Sequence, residues 1–170
     1  MKNYIQHITL DKNMIIEKIN SFLEEDMPNG DLTTNATISD SQIINADIIA
    51  VEDLIFSGAE IIPYCFDTDT IIHVKDGEIV TQNSAIATIK GDSKLILSRE
   101  RVALNILQRL CGIATHTKQY VDLANPFNIK ILDTRKTTPG MRIFEKYAVK
   151  CGGGYNHRFD LSSGILIKDN

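Results

Sequence analysis

The hydrophobic positions change their period along the chain. Over Met14–Glu25, Ile15, Ile16, Ile19, Phe22 and Leu23 recur at helical spacing, which predicts an amphipathic helix. Pro28 and the Asn29-Gly30 pair end it in a turn. Residues 41–58, SQIINADIIAVEDLIFSG, are rich in β-branched side chains that partly alternate. Further short strands are predicted around residues 70–74 and 85–90, with turns at Asp76-Gly77 and Gly91-Asp92. A short helix fits Ala59–Cys65. Residues 35–96 therefore read as a small β-rich layer behind one helix.

From Leu97 the period lengthens. Leu97, Val102, Leu104, Ile106, Leu107, Leu110 and Ile113 predict a long helix reaching Leu123. Asn128–Leu132 (NIKIL) and Gly164–Lys168 (GILIK) are compact apolar runs of strand length. Between them, Met141–Lys150 carries Ile143, Phe144, Tyr147 and Ala148 on one helical side. Strand, helix and strand, with both strands buried, is the pattern of a parallel α/β unit. The expected fold class is α/β, with a mixed α+β N-terminal domain over residues 1–105 and an α/β domain over residues 106–170.

Composition narrows the function. With 43% hydrophobic and 24% charged residues, a chain of 170 has a real core; disorder, collagen-like repeats and coiled coils are excluded. A net charge of −4 argues against a globally basic nucleic-acid binder. The charge is unevenly spread: residues 1–85 carry 4 basic and 15 acidic side chains, residues 86–170 carry 14 and 7. A cationic half on an anionic chain points to a local site for an anionic ligand. The three cysteines, Cys65, Cys111 and Cys151, are odd in number and form no C-x-x-C pair, so neither a disulfide framework nor a zinc site is expected. No run approaches the roughly 18 apolar residues of a membrane helix, and MKNYIQHITLDKN is too polar for a signal peptide. The expectation is a cytoplasmic protein that binds neither membrane nor nucleic acid.

The candidate chemistry lies in the basic half. Asp133–Gly140 (DTRKTTPG) directly follows the NIKIL run, and parallel α/β folds gather ligands at the carboxyl ends of strands. Arg135 offers a planar fork for a carboxylate, Lys136 a point charge for a phosphate, and Thr137 and Thr138 add hydroxyl donors. The bland alternative is a solvated basic turn. Gly152–Arg158 (GGGYNHR) sets three glycines, free to approach a ligand closely or to take positive φ, before Asn156, His157 and Arg158. No Walker or G-x-G-x-x-G fingerprint is present. Lys168 closes the GILIK run, where it would bind a carboxylate or, desolvated, form a Schiff base. Arg99 and Arg101, in SRER, are expected at the start of the long helix; cations are off-pattern there. So many cations with so few aromatics favour a small, multiply anionic ligand over a nucleic acid.

The run LDTRKTTPGMRIFEKYAVKCGGGYNHRFDLSSGILIKDN, together with EEDMPNGDLTT and ERVALNILQRLCGIAT, closely resembles the quinolinate phosphoribosyltransferase family, also called carboxylating nicotinate-nucleotide pyrophosphorylase. The resemblance implies transfer of phosphoribose from 5-phosphoribosyl 1-pyrophosphate to quinolinate, giving nicotinate mononucleotide, pyrophosphate and CO2 with Mg2+ in NAD biosynthesis. By that likeness Arg135, His157, Arg158 and Lys168 match positions that clamp the quinolinate carboxylates. Lys136 matches one that contacts the phosphoribosyl donor, and Arg101 one that reaches into a neighbouring subunit's site, so a homodimer or higher assembly is implied. Lys136 and Lys168 are the catalytic candidates, and no metal ligand is assigned in this chain. The implied fold is an α+β domain followed by a truncated α/β barrel of the type II phosphoribosyltransferase kind. Family members are longer. A polypeptide ending at Asn170 is expected to lack the remaining barrel strands and the acidic ribose and Mg2+ ligands, and to have little or no activity.

Three rivals remain at this point: a molybdate-transport-associated relative of the same fold, a Schiff-base lyase using Lys168, and a non-enzymatic carrier module. The last rests on residues 74–91 resembling the turns of biotinyl and lipoyl domains. The GDLTT stretch, Gly30–Thr34, has no chemical role in any of them.

Overall fold

The computed structural model describes residues 4–7, 9–167 and 169. Helix α1 (Lys12–Asp26) is capped by Asp11, whose carboxylate accepts from Met14 N at 2.9 Å, and buries Ile15, Ile19 and Leu23. Asp31 caps α2 (Leu32–Thr37) in the same way, accepting from the Thr34 amide at 2.9 Å and the Thr34 hydroxyl at 2.5 Å. The GDLTT stretch is thus a turn and a helix start.

Five strands follow: β1 (Ile43–Ile49), β2 (Leu54–Ile55), β3 (Asp69–Ile72), β4 (Ile79–Val80) and β5 (Ala85–Asp92), with α3 (Ile62–Phe66) between β2 and β3. β5 is the centre of an antiparallel sheet ordered β1-β5-β3, and β2 pairs with β4. β1 alternates as its sequence demands: Ile44, Ala46 and Ile48 pack against the core while Asn45 and Asp47 stay exposed. Gly91-Asp92 is no turn. Gly91 pairs with Ile44 inside the sheet, and Asp92 both ends β5 and caps the next helix, accepting from Lys94 N and Leu95 N at 2.9 and 3.1 Å. An extended N-cap residue serves strand and helix at once, so no connecting loop is needed.

Helix α4 (Ser93–Ala124) therefore begins earlier than its apolar period indicates, and its 32 residues run about 48 Å. It packs against α1, α3, β2 and β5 on the N-terminal side and against α5 (Arg142–Cys151) on the other. The expected division near residue 105 falls inside it. One hydrophobic cluster joins Phe56, Ile61 and Ile89 of the first layer through Ala103 and Leu110 to Phe144 and Tyr147 of α5.

The strand–helix–strand expectation holds in order but not in place. Among the described residues the NIKIL run makes one parallel bridge, Leu132 to Tyr155, on the far side of α5 in the chain. Its parallel partner is thus the segment after the glycines, not GILIK. Over residues 164–167 GILIK forms no strand, and Ile165 and Ile167 are about nine-tenths exposed. Ile129 and Leu132 are exposed too, so neither run is the buried strand its composition predicts. A strand buries its faces only where neighbours pair and cover it, and no closed barrel exists among the described residues.

Candidate functional site

Two short segments lie side by side and carry most of the candidate cations. Tyr155 N donates to Ile131 O at 2.9 Å and Asp133 N to Tyr155 O at 3.0 Å, which brings the DTRKTTPG loop against the GGGYNHR loop. The Asp133 carboxylate then continues the join. It accepts from His157 N at 2.8 Å, Asn156 Nδ2 at 2.7 Å and Lys146 Nζ at 2.6 Å. Lys146, on α5, is fully buried, and its ammonium also donates to His157 O at 3.1 Å. A charged Lys survives burial only with such partners.

The neighbouring residue clamps the other end of the first loop. The Glu145 carboxylate accepts from Arg109 of α4 at 2.8 and 3.1 Å and from Thr138 N at 3.2 Å. Burial pushes the Glu145 carboxyl up, but the hydrogen bonds from Arg109 and Thr138 together outweigh it and hold the group below the ordinary glutamate range. Consecutive residues of opposite charge on one helix thus hold the entrance and the exit of the loop. The threonine hydroxyls serve the same end. Thr137 Oγ1 accepts from Arg142 Nε at 3.1 Å and Thr138 Oγ1 from Arg109 at 3.2 Å, so they brace the loop. Beside it, a cavity of about 600 Å³ is lined by Glu25, Asp26, Asn105, Arg109 and Thr138.

Within this frame, Arg135 is half-buried, and its Nε is buried with no acceptor among the described residues. Lys136 is exposed next to it. His157 lies with its ring 4.7 Å from that of Tyr4, and Arg158 donates to Gly164 O at 2.9 Å. Arg135, Lys136, His157 and Arg158 are therefore brought to one edge of the fold, where the two loops leave their parallel pairing. Arg101 is not among them. It is exposed on α4, two turns beyond the helix start; Arg99, also well inside the helix, is half-buried and donates to Cys65 O at 3.3 Å. The off-pattern argument for cations at a helix N-terminus therefore lapses. Lys168 lies outside the described residues.

The three glycines answer mainly to packing. A Cβ on Gly152 would stand 2.4 Å from Ala114 O of α4, and one on Gly154 2.7 Å from Val149 Cγ1; Gly153 takes φ +84°. They let the turn after α5 approach α4, and the ligand-cradle reading has no support in this geometry. Sequence reasoning missed Glu145, Lys146 and Arg109, and it named Asn156 without its role as the joint between the loops. The only signal was two charges inside an otherwise apolar helical run, which the helical period assigns to solvent. Among the described residues no group of three or more His, Cys, Asp or Glu is placed to hold a metal ion.

Two family models match the chain in succession. Residues 31–111 match the family model for the quinolinate phosphoribosyl transferase N-terminal domain, and residues 113–170 the model for its C-terminal domain. The chain is 48% identical over 157 residues to a probable nicotinate-nucleotide pyrophosphorylase [carboxylating] of Bacillus subtilis, covering 89% of this chain and 54% of that one. A probable enzyme of the same name from Archaeoglobus fulgidus is 41% identical, with 85% and 56% covered. The solved nicotinate-nucleotide pyrophosphorylase of Francisella tularensis superposes with a TM-score of 0.86 at 34% identity, covering 94% of this chain and 59% of that structure. The chain spans about half the length of the curated relatives it matches.

Proposed function

Because the chain belongs to the quinolinate phosphoribosyltransferase family, we propose that the whole protein transfers phosphoribose from 5-phosphoribosyl 1-pyrophosphate to quinolinate with loss of CO2, as a pentosyltransferase of NAD biosynthesis. The observation that carries the reading at the site is the buried Arg135 Nε, a guanidinium donor with no acceptor among the described residues. An unmet buried donor is costly, and a substrate carboxylate relieves that cost with a charge-assisted bond. His157 and Arg158, on the adjoining loop, serve the second carboxylate, and Lys168 joins them. Lys136, exposed beside Arg135, meets the phosphates of the donor. Arg101, exposed on α4, serves the site of a second subunit, so the working form is a homodimer or larger.

The chemistry asks for little acid–base work. The pyridine nitrogen attacks the anomeric carbon as pyrophosphate departs, through an oxocarbenium-like transition state that positioning and cationic groups stabilise. The C2–carboxylate bond then breaks. Its electron pair stays on a ring carbon next to the cationic nitrogen and takes up a proton, and CO2 leaves. Among the described residues no group of His, Cys, Asp or Glu is placed to hold the Mg2+ of the reaction; acidic residues of the whole protein outside this chain would hold it beside the donor's phosphates, where it would neutralise charge on the departing pyrophosphate. Its three cysteines are free thiols, and among the described residues no helix is long and apolar enough to cross a membrane.

Calorimetric titration of the whole protein with quinolinate and with nicotinate tests the proposal. Selective binding of the dicarboxylate, and formation of nicotinate mononucleotide when the donor is added, are expected. Equal binding of the monocarboxylate sinks it.

A further inference from the structure

Gln6 and His7, before α1, make contacts about 150 residues away, on the loop that carries His157 and Arg158. Its hub is Asn156, which is 1% exposed. The side-chain amide of Gln6 pairs with the Asn156 main chain in both directions: Asn156 N donates to Gln6 Oε1 at 2.9 Å, and Gln6 Nε2 donates to Asn156 O at 3.1 Å. His7 N donates to Asn156 Oδ1 at 2.7 Å. The Asn156 Nδ2 group donates to Asp133 of the other loop and to Lys146 O of α5, so both of its protons are used. Residues 155–157 are thus held on one side by 131–133 and on the other by Gln6, which acts as a one-residue substitute for a strand edge.

Rings close the arrangement. Tyr4 lies 4.7 Å from the His157 ring, and His7 lies 5.2 Å from the Phe159 ring. The main chain of His157 is fixed at both ends, its N–H by Asp133 and its carbonyl by Lys146. The remaining freedom is rotation of the imidazole, and Tyr4 lies against it. Arg158 sits between His157, under Tyr4, and Phe159, under His7.

We propose that Tyr4–His7 is part of the anion site, a positioning strap that sets the ring direction of His157 and the exit direction of Arg158 toward a pyridine dicarboxylate. This rests on the dicarboxylate reading above. Gln6 and Tyr4 are positioning residues: they act through Asn156 and His157.

The test uses the whole protein with Gln6→Ala, and Gln6→Glu as the conservative variant that keeps the acceptor for Asn156 N. Two quantities are read: the His157 imidazole resonance in the ligand-free protein, and the affinity for quinolinate by calorimetry. Gln6→Ala is expected to move the resonance while Tyr4 is still present, and to weaken binding by about ten-fold, as a small misplacement of a binding group does. Gln6→Glu is expected to recover part of both. An unmoved resonance overturns the strap, and so does a moved resonance with unchanged affinity. If the unsubstituted protein ignores quinolinate, the functional reading fails with the strap's role in it; a moved resonance then shows that the contact exists and that only the ligand was misassigned.

Discussion

Lys146 Nζ stands 2.6 Å from Asp133 Oδ1, and both side chains are withdrawn from solvent. The pair joins the helix between the two site loops to the start of one loop, and its other hydrogen bonds reach the second. Removing the cation leaves Asp133 buried among its remaining donors with no counter-charge. Lys146→Met is therefore expected to cost about 3–5 kcal/mol of stability. The double variant with Asp133→Asn restores part of that loss, because it removes the stranded charge as well. Urea denaturation of the four proteins of the cycle measures this, and equal losses in the single and double variants would contradict it.

Arg135 differs from Lys146 in having an unmet donor. Arg135→Ala is expected to weaken quinolinate binding by about 2–5 kcal/mol, the cost of removing one partner of a buried charge pair. The melting temperature should hardly change, since Arg135 Nε has no acceptor among the described residues. Arg135→Lys keeps the charge but loses the planar fork, so it should fall between the two. Calorimetry beside thermal melts separates binding from folding. A large drop in melting temperature would make Arg135 a structural residue.

The glycine turn makes a prediction about packing. Gly152→Ala drives a methyl against the backbone oxygen of Ala114, which cannot rotate away, so about 1–3 kcal/mol of destabilisation is expected. Gly112, in the exposed middle of α4, has nothing within 4 Å of its would-be Cβ. Gly112→Ala should therefore stabilise by about 0.5–1 kcal/mol through helix propensity alone. Opposite shifts of the melting temperature in the two variants are the expected result.

How much of this was legible depended on whether a feature was local. The stripe Ile15, Ile19 and Leu23, the alternation of β1 and the period of α4 each report burial on a single element, and all three elements form, α4 with its start one turn earlier than its period indicates. Asp92 was misread as a turn because a capping aspartate and a turn aspartate look alike until the helix behind it is seen to start at Ser93. NIKIL and GILIK carry strand composition, but a strand's burial depends on neighbours that no local window contains. At the site, Arg135, Lys136, His157 and Arg158 stood out as cations beside turn residues. Their supports did not. Glu145 and Lys146 occupy positions that the helical period gives to solvent, and only the distant partners Arg109 and Asp133 make them buried residues. The pairing of Gln6 with Asn156 spans nearly the whole chain and leaves no periodic trace.

The cysteines give a chemical test of the same packing. Burial pushes the Cys65 thiol up to about 12, Cys111 to about 11 and Cys151 to about 12. At pH 8 the thiolate fraction is then about one part in a thousand or less, and the thiolate is the reacting form. Native protein should alkylate slowly at all three positions, and in urea all three should react at the rate of ordinary thiols. Rapid native labelling at Cys111 would mean that the packing of α4 over Ser57 opens readily, since Cys111 Sγ points at Ser57 O at 3.6 Å.

His7 links the strap to pH. Burial lowers its pKa from 6.5, the Lys146 ammonium lowers it further, and Asp133 opposes both. A base whose pKa is depressed on folding holds fewer protons folded than unfolded. Its contribution to stability is complete above pH 6.5 and is lost as pH falls through 6.5 toward the lower folded value. Protein with His7 should thus lose stability between pH 7.5 and 5.5 (about one unit either side of the free imidazole) more steeply than His7→Gln, which keeps the amide donor to Asn156 but cannot titrate. Denaturation midpoints across that range decide it. Parallel curves for the two proteins would show that the His7 ring does not feel the buried pair.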